Sequence, residues 1–190
     1  MTLMHKKELR SKIRCKTSAM SESQKEEEAQ VVVNLLQRYI SAQRVKVLAM
    51  FYPLNDEIDI LPLAYSALDV GCRVVMPRME SGEESRMEVY DFLPHLMAQG
   101  SLGVMEPVQG ERVEASQIDL MIVPGVAFTP KGERMGRGKG YYDRYLSRQG
   151  FRAHTVGVCF AHQVVDRLPV EEHDKRVDRL FWAAMEEFKE

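Results

Sequence analysis

The stretch from residue 132 to residue 145, GERMGRGKGYYDRY, combines closely spaced glycines with basic residues. Glycines at positions 136, 138 and 140 alternate with Arg137 and Lys139, and Arg134 and Arg144 flank them. Glycines let neighbouring backbone N–H groups turn toward one centre without a Cβ atom in the way, and the interleaved cations add full charges. This pattern predicts a phosphate-binding loop. The alternative is a surface turn whose glycines only end the neighbouring elements.

Asp143 lies just after this loop, in the first turn of the helix that the following residues predict. A carboxylate at that position interacts favourably with the helix dipole. It is also a suitable ligand for Mg²⁺, which proteins hold with one or two carboxylates together with phosphate oxygens. The spacing supports both interpretations equally. The loop itself matches neither G-x-x-x-x-G-K-[ST] nor G-x-G-x-x-G, so those two nucleotide-binding motifs are excluded.

Four short apolar runs alternate with helical stretches along the chain. The runs are Val45–Phe51, Arg73–Met76, Leu120–Val123 and Thr155–Phe160. Short apolar runs that are closed by Pro or Gly are typical of strands buried on both faces, and their alternation with helices predicts a mainly parallel sheet covered on both sides. Ligands of such sheets bind beyond the carboxyl ends of the strands. We therefore expect the functional site at the segments that follow these runs.

The apolar spacing also predicts the helices. They are residues 5–19, a second helix from Ser21 to about Ile40, Ile60–Val70 and Tyr141–Arg148. Ser21 and Gln24 have the spacing of a capping box at the start of the second helix. The alternating segment Met87–Phe92 predicts an edge strand or one arm of a hairpin.

The amino-acid composition limits the classes of protein to which this chain can belong. The 190 residues are 45% hydrophobic and 28% charged, which is typical of a globular chain and excludes a disordered one. The 26 Lys and Arg residues nearly balance the 28 Asp and Glu residues, so we expect no nucleic-acid and no membrane partner. No apolar run approaches the roughly 20 residues of a membrane-spanning helix.

We expect a single domain over residues 1–190, in which Ser81–Ser85 is an exposed loop rather than a linker. The basic N-terminal stretch has no apolar segment behind it and does not resemble a secretory signal. Cys15, Cys72 and Cys159 are scattered and odd in number, which predicts free thiols and a cytoplasmic location.

The sequence resembles the 5-formyltetrahydrofolate cyclo-ligase family, also called methenyltetrahydrofolate synthetases. The segment MIVPGVAFTPKGERMGRGKGYYDRYL, residues 121–146, is similar to the main signature of that family. Shorter matches extend the resemblance over nearly the whole chain: residues 6–10, 51–58, 76–78, 106–107, 173–174 and 177–178. Thr129 departs from the family pattern, where many members carry Asp, but it lies outside the glycine loop.

The resemblance implies an enzyme that converts 5-formyltetrahydrofolate, with or without a polyglutamate tail, to 5,10-methenyltetrahydrofolate. The reaction would consume ATP, require Mg²⁺ and release ADP and phosphate. The resemblance also implies a three-layer α/β/α fold related to the ribose-phosphate isomerase and CoA-transferase architecture.

The resemblance further assigns roles to residues by position. Arg134, Arg137 and Lys139 would be catalytic, and Asp143 and Asp174 would bind the metal. The substrate contacts would be Tyr52, Glu57, Arg137, Lys139 and Tyr141. The nucleotide contacts would be Lys6, Lys7, Arg10, Arg134, Gly136, Arg137, Gly138, Lys139, Gly140, Tyr141 and Tyr142.

The residue types suit that chemistry. Transfer of the γ-phosphoryl group to the formyl oxygen would make it a leaving group, and the neighbouring folate nitrogen would then close the ring. Phosphoryl transfer requires mainly positioning and charge neutralisation. Lys6 and Arg10 lie four residues apart on one helix face and are able to reach the same phosphates, although a solvated face is the alternative.

The roles of the substrate residues stay open at this point. The Glu57 carboxylate is a suitable acceptor for the N–H donors of a reduced pterin, or a surface charge, and Tyr52 either stacks on the pterin or packs in the core. Two other functions are also open: a phosphosugar isomerase or acyl-transferring relative that uses no ATP, and a folate- or nucleotide-binding module without turnover.

Overall fold

The computed structural model describes residues 5–80 and 86–185. The segment Ser81–Ser85, which we expected to be an exposed loop, lies outside the described residues. The helices are α1 (Lys6–Ser18), α2 (Glu22–Gln43), α3 (Leu61–Asp69) and α4 (Tyr141–Leu146). The strands are β1 (Val47–Ala49), β2 (Arg73–Glu80), β3 (Arg86–Asp91), β4 (Met97–Gln99), β5 (Met105–Pro107), β6 (Arg112–Val113), β7 (Leu120–Val123), β8 (Ala127–Phe128), β9 (Arg134–Met135), β10 (His154–Val158) and β11 (Arg179–Phe181).

The predicted capping box starts α2. The Ser21 hydroxyl accepts a hydrogen bond from the Gln24 amide at 3.2 Å, and the Gln24 side chain accepts one from the Ser21 amide at 2.9 Å. The helix runs past the predicted end at Ile40 to Gln43 and stops at Arg44, whose φ of 53° is left-handed. The prediction of a capped second helix is therefore confirmed, with a boundary a few residues too short.

The main sheet has seven strands in the order β11-β10-β7-β1-β2-β3-β6. Neighbouring strands from β11 to β2 are parallel, and the β2/β3 and β3/β6 pairs are antiparallel. The predicted mainly parallel sheet is confirmed, and each predicted apolar run supplies one of its parallel strands.

Pro77 does not end its strand, contrary to the sequence-based expectation. The strand β2 continues through Pro77, which pairs with Val89 of β3, as far as Glu80. The neighbouring strand β1 ends at Ala49, opposite Val75, so the ladder on that side requires no N–H group at Pro77. The predicted strand Met87–Phe92 is β3, which forms the second arm of this hairpin and lies inside the sheet rather than at its edge.

Helices cover both faces of the sheet. The helices α2 and α3 pack on one face and bury residues such as Leu36 and Leu63 against Leu48 and Ile122. The short helix α4 and a 3₁₀ turn at 115–117 cover the other face, where Tyr145 lies in the second core cluster. In the described residues no helix is both long and apolar enough to cross a membrane.

The helix α1 packs on a small separate cluster rather than on the main sheet. Its Leu9 and Ile13 are buried against the β8–β9 hairpin and Leu168. Because β9 leads directly into the glycine loop, this packing places one face of α1 beside that loop.

Candidate active site

A cavity of about 680 Å³ lies at the carboxyl ends of the parallel strands. The segments that follow β1 and β7 line it, together with the second half of β2, as the parallel sheet predicts. The segment after Phe160 was expected there too, and its later part, with Glu171 and Asp174, does line the cavity. The residues directly after Phe160 instead form a 3₁₀ turn that packs on α1, with the His162 ring nitrogen 2.9 Å from the Thr17 hydroxyl.

The cavity has two chemically different halves. The glycine loop, α4 and the first two turns of α1 supply charged groups, whereas the other half is mostly apolar. The apolar wall consists of Phe51, Leu54, Pro77, Met79, Leu102 and Val104. One half therefore suits an anion such as a polyphosphate, and the other suits a flat heterocycle.

Two arginine side chains donate hydrogen bonds to carbonyl groups of the glycine loop. Arg10 donates to the Gly136 carbonyl at 2.8 Å, and Arg144 donates to the Lys139 carbonyl at 3.0 Å. Gly138 and Gly140 adopt φ values of 100° and 68°, which residues other than glycine rarely adopt. Among the described residues, no acceptor binds the backbone amides of 136–140, so these amides are available to an anion.

Lys139 and Arg137 differ in their surroundings. Within the part of the chain that the structure describes, the ammonium group of Lys139 has no ion-pair or hydrogen-bond partner, and it lines the cavity. The Arg137 guanidinium instead pairs with Asp56 and with Glu57, at 3.0 Å from the latter. Arg137 therefore joins the glycine loop to the segment after β1.

Arg134, which was predicted to neutralise phosphate, is buried beside the loop. Its side chain is only 3% exposed, and it donates to Asp143 at 2.6 Å and to the Pro124 carbonyl at 3.3 Å. The reason is its position in β9, one of the two strands of the hairpin on which α1 packs. Arg134 still lines the cavity, in a charge-neutral pair with Asp143.

The two predicted metal ligands lie near each other at the charged end. The Asp143 carboxylate accepts from Arg134 and, at 3.0 Å, from the amide of Lys175, the residue after Asp174. The Asp174 carboxylate accepts from Lys6 at 2.7 Å and from the Glu171 amide at 2.8 Å. In each carboxylate a single oxygen accepts both hydrogen bonds, Oδ1 in Asp143 and Oδ2 in Asp174. The second oxygen of each carboxylate accepts no hydrogen bond from the described residues.

Lys6 and Arg10 of α1 both line the cavity, as their spacing predicts, whereas Lys7 lies exposed outside it. A helix turns by about 100° per residue, which is why adjacent positions face different sides. Lys6 pairs with Asp174 and Glu171. Burial opposes its charge, but these two partners raise the pKa of the Lys6 ammonium group above its ordinary value.

The predicted substrate residues are also at the cavity. Tyr52, Glu57 and Tyr141 all line it, as does Tyr142, which was predicted as a nucleotide contact. Burial raises the pKa of the Glu57 carboxyl group, although Arg137 partly opposes the shift. Both Glu57 oxygens already have protein partners, since one accepts from Arg137 and the other from the Leu54 amide at 3.0 Å.

Sequence reasoning missed one element of this site, the antiparallel ribbon of β4 and β5. Its turn and second strand lie in the apolar half of the cavity, and they include the lining residues Leu102, Met105 and Glu106. Two glycines, Gly100 and Gly103, punctuate the ribbon and were the available signal for a hairpin. The acidic partners Asp56 and Glu171 were missed as well, because their contacts join segments that are distant in sequence.

Comparisons with known proteins agree with this geometry. Residues 3–182 match the 5-formyltetrahydrofolate cyclo-ligase family. The 5-formyltetrahydrofolate cyclo-ligase of Escherichia coli (strain K12) is 30% identical over 166 residues, which cover 85% of this chain and 91% of the relative.

Solved structures extend the similarity to the fold. The NMR structure of Aquifex aeolicus 5,10-methenyltetrahydrofolate synthetase superposes with a TM-score of 0.82 at 36% identity and covers 93% of this chain and 89% of its own. The 5,10-methenyltetrahydrofolate synthetase of Mycoplasma pneumoniae gives a TM-score of 0.78 at 25% identity, with coverage of 95% and 99%. Because the family match spans almost every described residue, including the whole cavity, the chain belongs to the 5-formyltetrahydrofolate cyclo-ligase family.

Proposed function

We propose that this protein is an ATP-dependent enzyme that cyclises 5-formyltetrahydrofolate to 5,10-methenyltetrahydrofolate with release of ADP and phosphate. The observation that carries the proposal is the two-sided cavity, in which the glycine loop and Lys139, whose amides and ammonium group have no partner among the described residues, line the same space as an apolar wall. A site of this kind suits a polyphosphate on one side and a reduced pterin on the other.

The proposed reaction has two steps. The formyl oxygen attacks the γ-phosphorus of ATP and expels ADP, which leaves an imidate-like phosphate on the formyl carbon. The N10 nitrogen of the folate then attacks that carbon, loses its proton and expels inorganic phosphate. Phosphoryl transfer requires little covalent chemistry from the protein, and in the described residues of this cavity there is no Ser-His-Asp arrangement to supply any.

In this proposal the charged half of the cavity positions and neutralises the triphosphate. The loop amides and Lys139 contact the transferred phosphoryl group, and Arg10 approaches from α1. Arg137 contacts either the phosphates or the folate after it releases Asp56 and Glu57. Arg134 contributes mainly by holding Asp143, because its own charge is already paired.

The residues present fit a magnesium ion. Asp143 and Asp174 each keep one carboxylate oxygen that accepts no hydrogen bond from the described residues, and carboxylate oxygens are the ligands that Mg²⁺ prefers. In the described parts of the chain there is no group of three or more acidic, His or Cys side chains suited to a metal, so phosphate oxygens and water would complete the shell. When bound, Mg²⁺ neutralises charge on the phosphate oxygens during transfer.

We also propose a cytoplasmic location, because Cys15, Cys72 and Cys159 are all free thiols and such cysteines are typical of a reducing compartment. Substrates with a polyglutamate tail belong to this proposal, since the cavity is open to solvent at its mouth, where Leu102 is 43% exposed.

The decisive experiment mixes purified protein with 5-formyltetrahydrofolate, ATP and Mg²⁺ and follows the absorbance of the methenyl product together with ADP release. We expect both signals, and neither without ATP. Product formation without ATP would instead support an isomerase-like or acyl-transferring relative. Tight ligand binding without ADP release would support a binding module.

A further inference from the structure

Glu106 is a buried acidic residue in the apolar half of the cavity, and the proposed reaction so far gives it no role. It lies on β5, its residue surface is 7% exposed, and its side chain lines the cavity. One carboxylate oxygen, Oε2, accepts a hydrogen bond from the Met79 amide at 3.2 Å. The other, Oε1, is buried and has no hydrogen-bond partner among the described residues.

The surroundings of Glu106 disfavour a charged carboxylate whose Oε1 atom has no hydrogen-bond partner among the described residues. Burial raises the pKa of its carboxyl group, and the nearby Glu80 charge adds to the shift, whereas the Met79 amide and the Arg78 charge oppose it. A buried polar atom without a partner destabilises the folded protein, so native structures rarely leave one without a ligand, an ion or a water molecule to bind it. A ligand that donates a hydrogen bond inside the cavity would remove the cost.

The ribbon is built around this carboxylate. A Cβ atom at Gly100, in the partner segment of the ribbon, would lie 2.3 Å from the carboxyl carbon of Glu106 and 2.5 Å from each of its oxygens. Only a glycine therefore leaves space for the carboxylate in its present place. Gly100 itself has no left-handed φ, so its backbone would tolerate an alanine.

Glu57, the acidic residue expected to recognise the pterin, is bound differently. Both of its oxygens accept hydrogen bonds from the protein, whereas one oxygen of Glu106 accepts none from the part of the chain that the structure describes. Glu57 also lies beside Arg137 of the charged half, whereas the Glu106 side chain lies in the apolar half beside Met79. Of the two carboxylates, Glu106 is the one prepared to accept a new donor.

We propose that Glu106 binds the substrate directly, with Oε1 accepting hydrogen bonds from the 2-amino and ring N–H donors of the reduced pterin. This inference rests on the function proposed above. The negative charge of Glu106 also repels the anionic glutamate tail, so the pterin rather than the tail enters the apolar half. Glu106 is then a residue that determines both the specificity and the orientation of the folate.

The test is equilibrium binding of 5-formyltetrahydrofolate without ATP, measured by calorimetry on the wild-type protein, Glu106→Gln, Gly100→Ala and a control, Glu111→Gln. Glu111 is a useful control because its side chain is 84% exposed and lies outside the cavity. We expect the dissociation constant for the folate to rise about tenfold or more in the first two variants, because a charge-assisted hydrogen bond is lost or displaced. The control should bind like wild type.

Two further measurements distinguish direct binding by Glu106 from a purely structural role. The melting temperature of ligand-free Glu106→Gln should be equal to or above that of wild type, because the variant removes an unpaired buried charge. A folate analogue that lacks the 2-amino group should lose affinity for the wild-type protein and lose much less for Glu106→Gln. The KM for ATP should stay unchanged.

Two results would overturn the inference. The first is an unchanged folate affinity in Glu106→Gln. The second is a lower affinity of that variant together with a lower melting temperature and a loss of affinity for the 2-desamino analogue that is equal in the variant and in wild type. The wild-type turnover assay separates this from failure of the proposed function. An active wild type with a normal Glu106→Gln variant rejects only the role of Glu106, whereas an inactive wild type rejects the cyclo-ligase itself.

Discussion

Lys139 illustrates how much the chemistry of this site depends on single side chains. It is the loop cation whose ammonium group contacts no partner in the described residues, while Arg134 and Arg137 are engaged in ion pairs. A cation that is already free meets a phosphate without first breaking a contact, which is the condition for preorganised electrostatic stabilisation. Sequence analysis gave these three basic residues the same role, but they differ in the ion pairs that each would have to break before it binds a phosphate.

Lys139→Ala should lower turnover by about 10² or more, because a preorganised contact to the transferred phosphoryl group is lost. Its unfolding free energy should change by less than about 0.5 kcal/mol, as expected for an exposed side chain that has no partner among the described residues. Steady-state kinetics and urea unfolding measure the two effects. Near-normal turnover would remove Lys139 from the reacting centre.

Asp143→Asn should have two separate effects. Replacement of a charged ligand should raise the Mg²⁺ concentration that is needed for half-maximal activity. The buried Arg134 guanidinium, 3% exposed, would lose its counter-charge but keep an amide acceptor, so the protein should also be destabilised by about 1–3 kcal/mol. A magnesium titration well below the melting temperature separates the two, and an unchanged titration would leave Asp143 only its structural role.

At the scale of elements, α1 acts as a brace for the glycine loop. It is held by apolar contacts of Leu9 and Ile13 at its buried face and by the Lys6 ion pairs at its N-terminal end. Between them, Arg10 reaches the Gly136 carbonyl. The strength of this packing therefore controls how firmly the loop is positioned.

Ile13→Ala should lower the free energy of unfolding by about 2–4 kcal/mol, because Ile13 is 2% exposed and its removal leaves a cavity beneath α1. The KM for ATP should rise as well, since Arg10 loses its support. Val31→Ala is the matched control, because Val31 on α2 is 41% exposed and its truncation should cost less than about 0.5 kcal/mol. Equal unfolding midpoints for the two variants would contradict the bracing role.

The Lys6–Asp174 pair predicts a pH dependence. Burial opposes ionisation of Asp174, but the Lys6 ammonium group and the Glu171 amide hold the pKa of its carboxyl group below the ordinary value of 3.8. The group therefore contributes stability that is present above pH 3.8 and is lost as the pH falls through its folded-state pKa. Urea unfolding at a series of acidic pH values should show a weaker pH dependence for Asp174→Asn than for wild type.

The control for this pH series is Asp69→Asn, since Asp69 is exposed at the end of α3 and accepts no hydrogen bond from the described residues. Its unfolding curve should follow wild type at every pH. If Asp174→Asn did so too, the ion pair would not contribute to the stability of the fold.

At the scale of the whole molecule, both ligands would bind between elements rather than on one of them. The cavity is lined by α1, the segment after β1, the β4–β5 ribbon and the glycine loop, which are far apart in sequence. A ligand that joins them should stabilise the folded state as a unit, by RT ln(1 + [L]/Kd).

ATP with Mg²⁺ at about 100 times its dissociation constant should therefore stabilise the wild-type protein by about 2.7 kcal/mol. Thermal unfolding with and without the nucleotide measures this shift. Lys139→Ala should show a smaller shift at the same nucleotide concentration. An identical shift in that variant would mean that the nucleotide binds elsewhere.

The sequence by itself determined those features that depend on neighbouring residues. The capping box at Ser21, the apolar strand Leu120–Val123 and the alternating segment before Phe92 all form as predicted, because each follows from local hydrogen bonding or from side-chain periodicity. The glycine loop was found in the same way, since its glycines and cations are adjacent along the chain.

Only the tertiary structure decided which charges are free and which are paired. Asp143 neutralises Arg134, Asp56 and Glu57 hold Arg137, and Lys139 stays available, although all three cations lie within one short stretch. It also decided that Pro77 lies within a strand and that the ribbon brings Glu106 to the cavity. Ion pairing and burial depend on distances between segments separated by dozens of residues, and these distances are fixed by packing of the whole chain rather than by any local pattern.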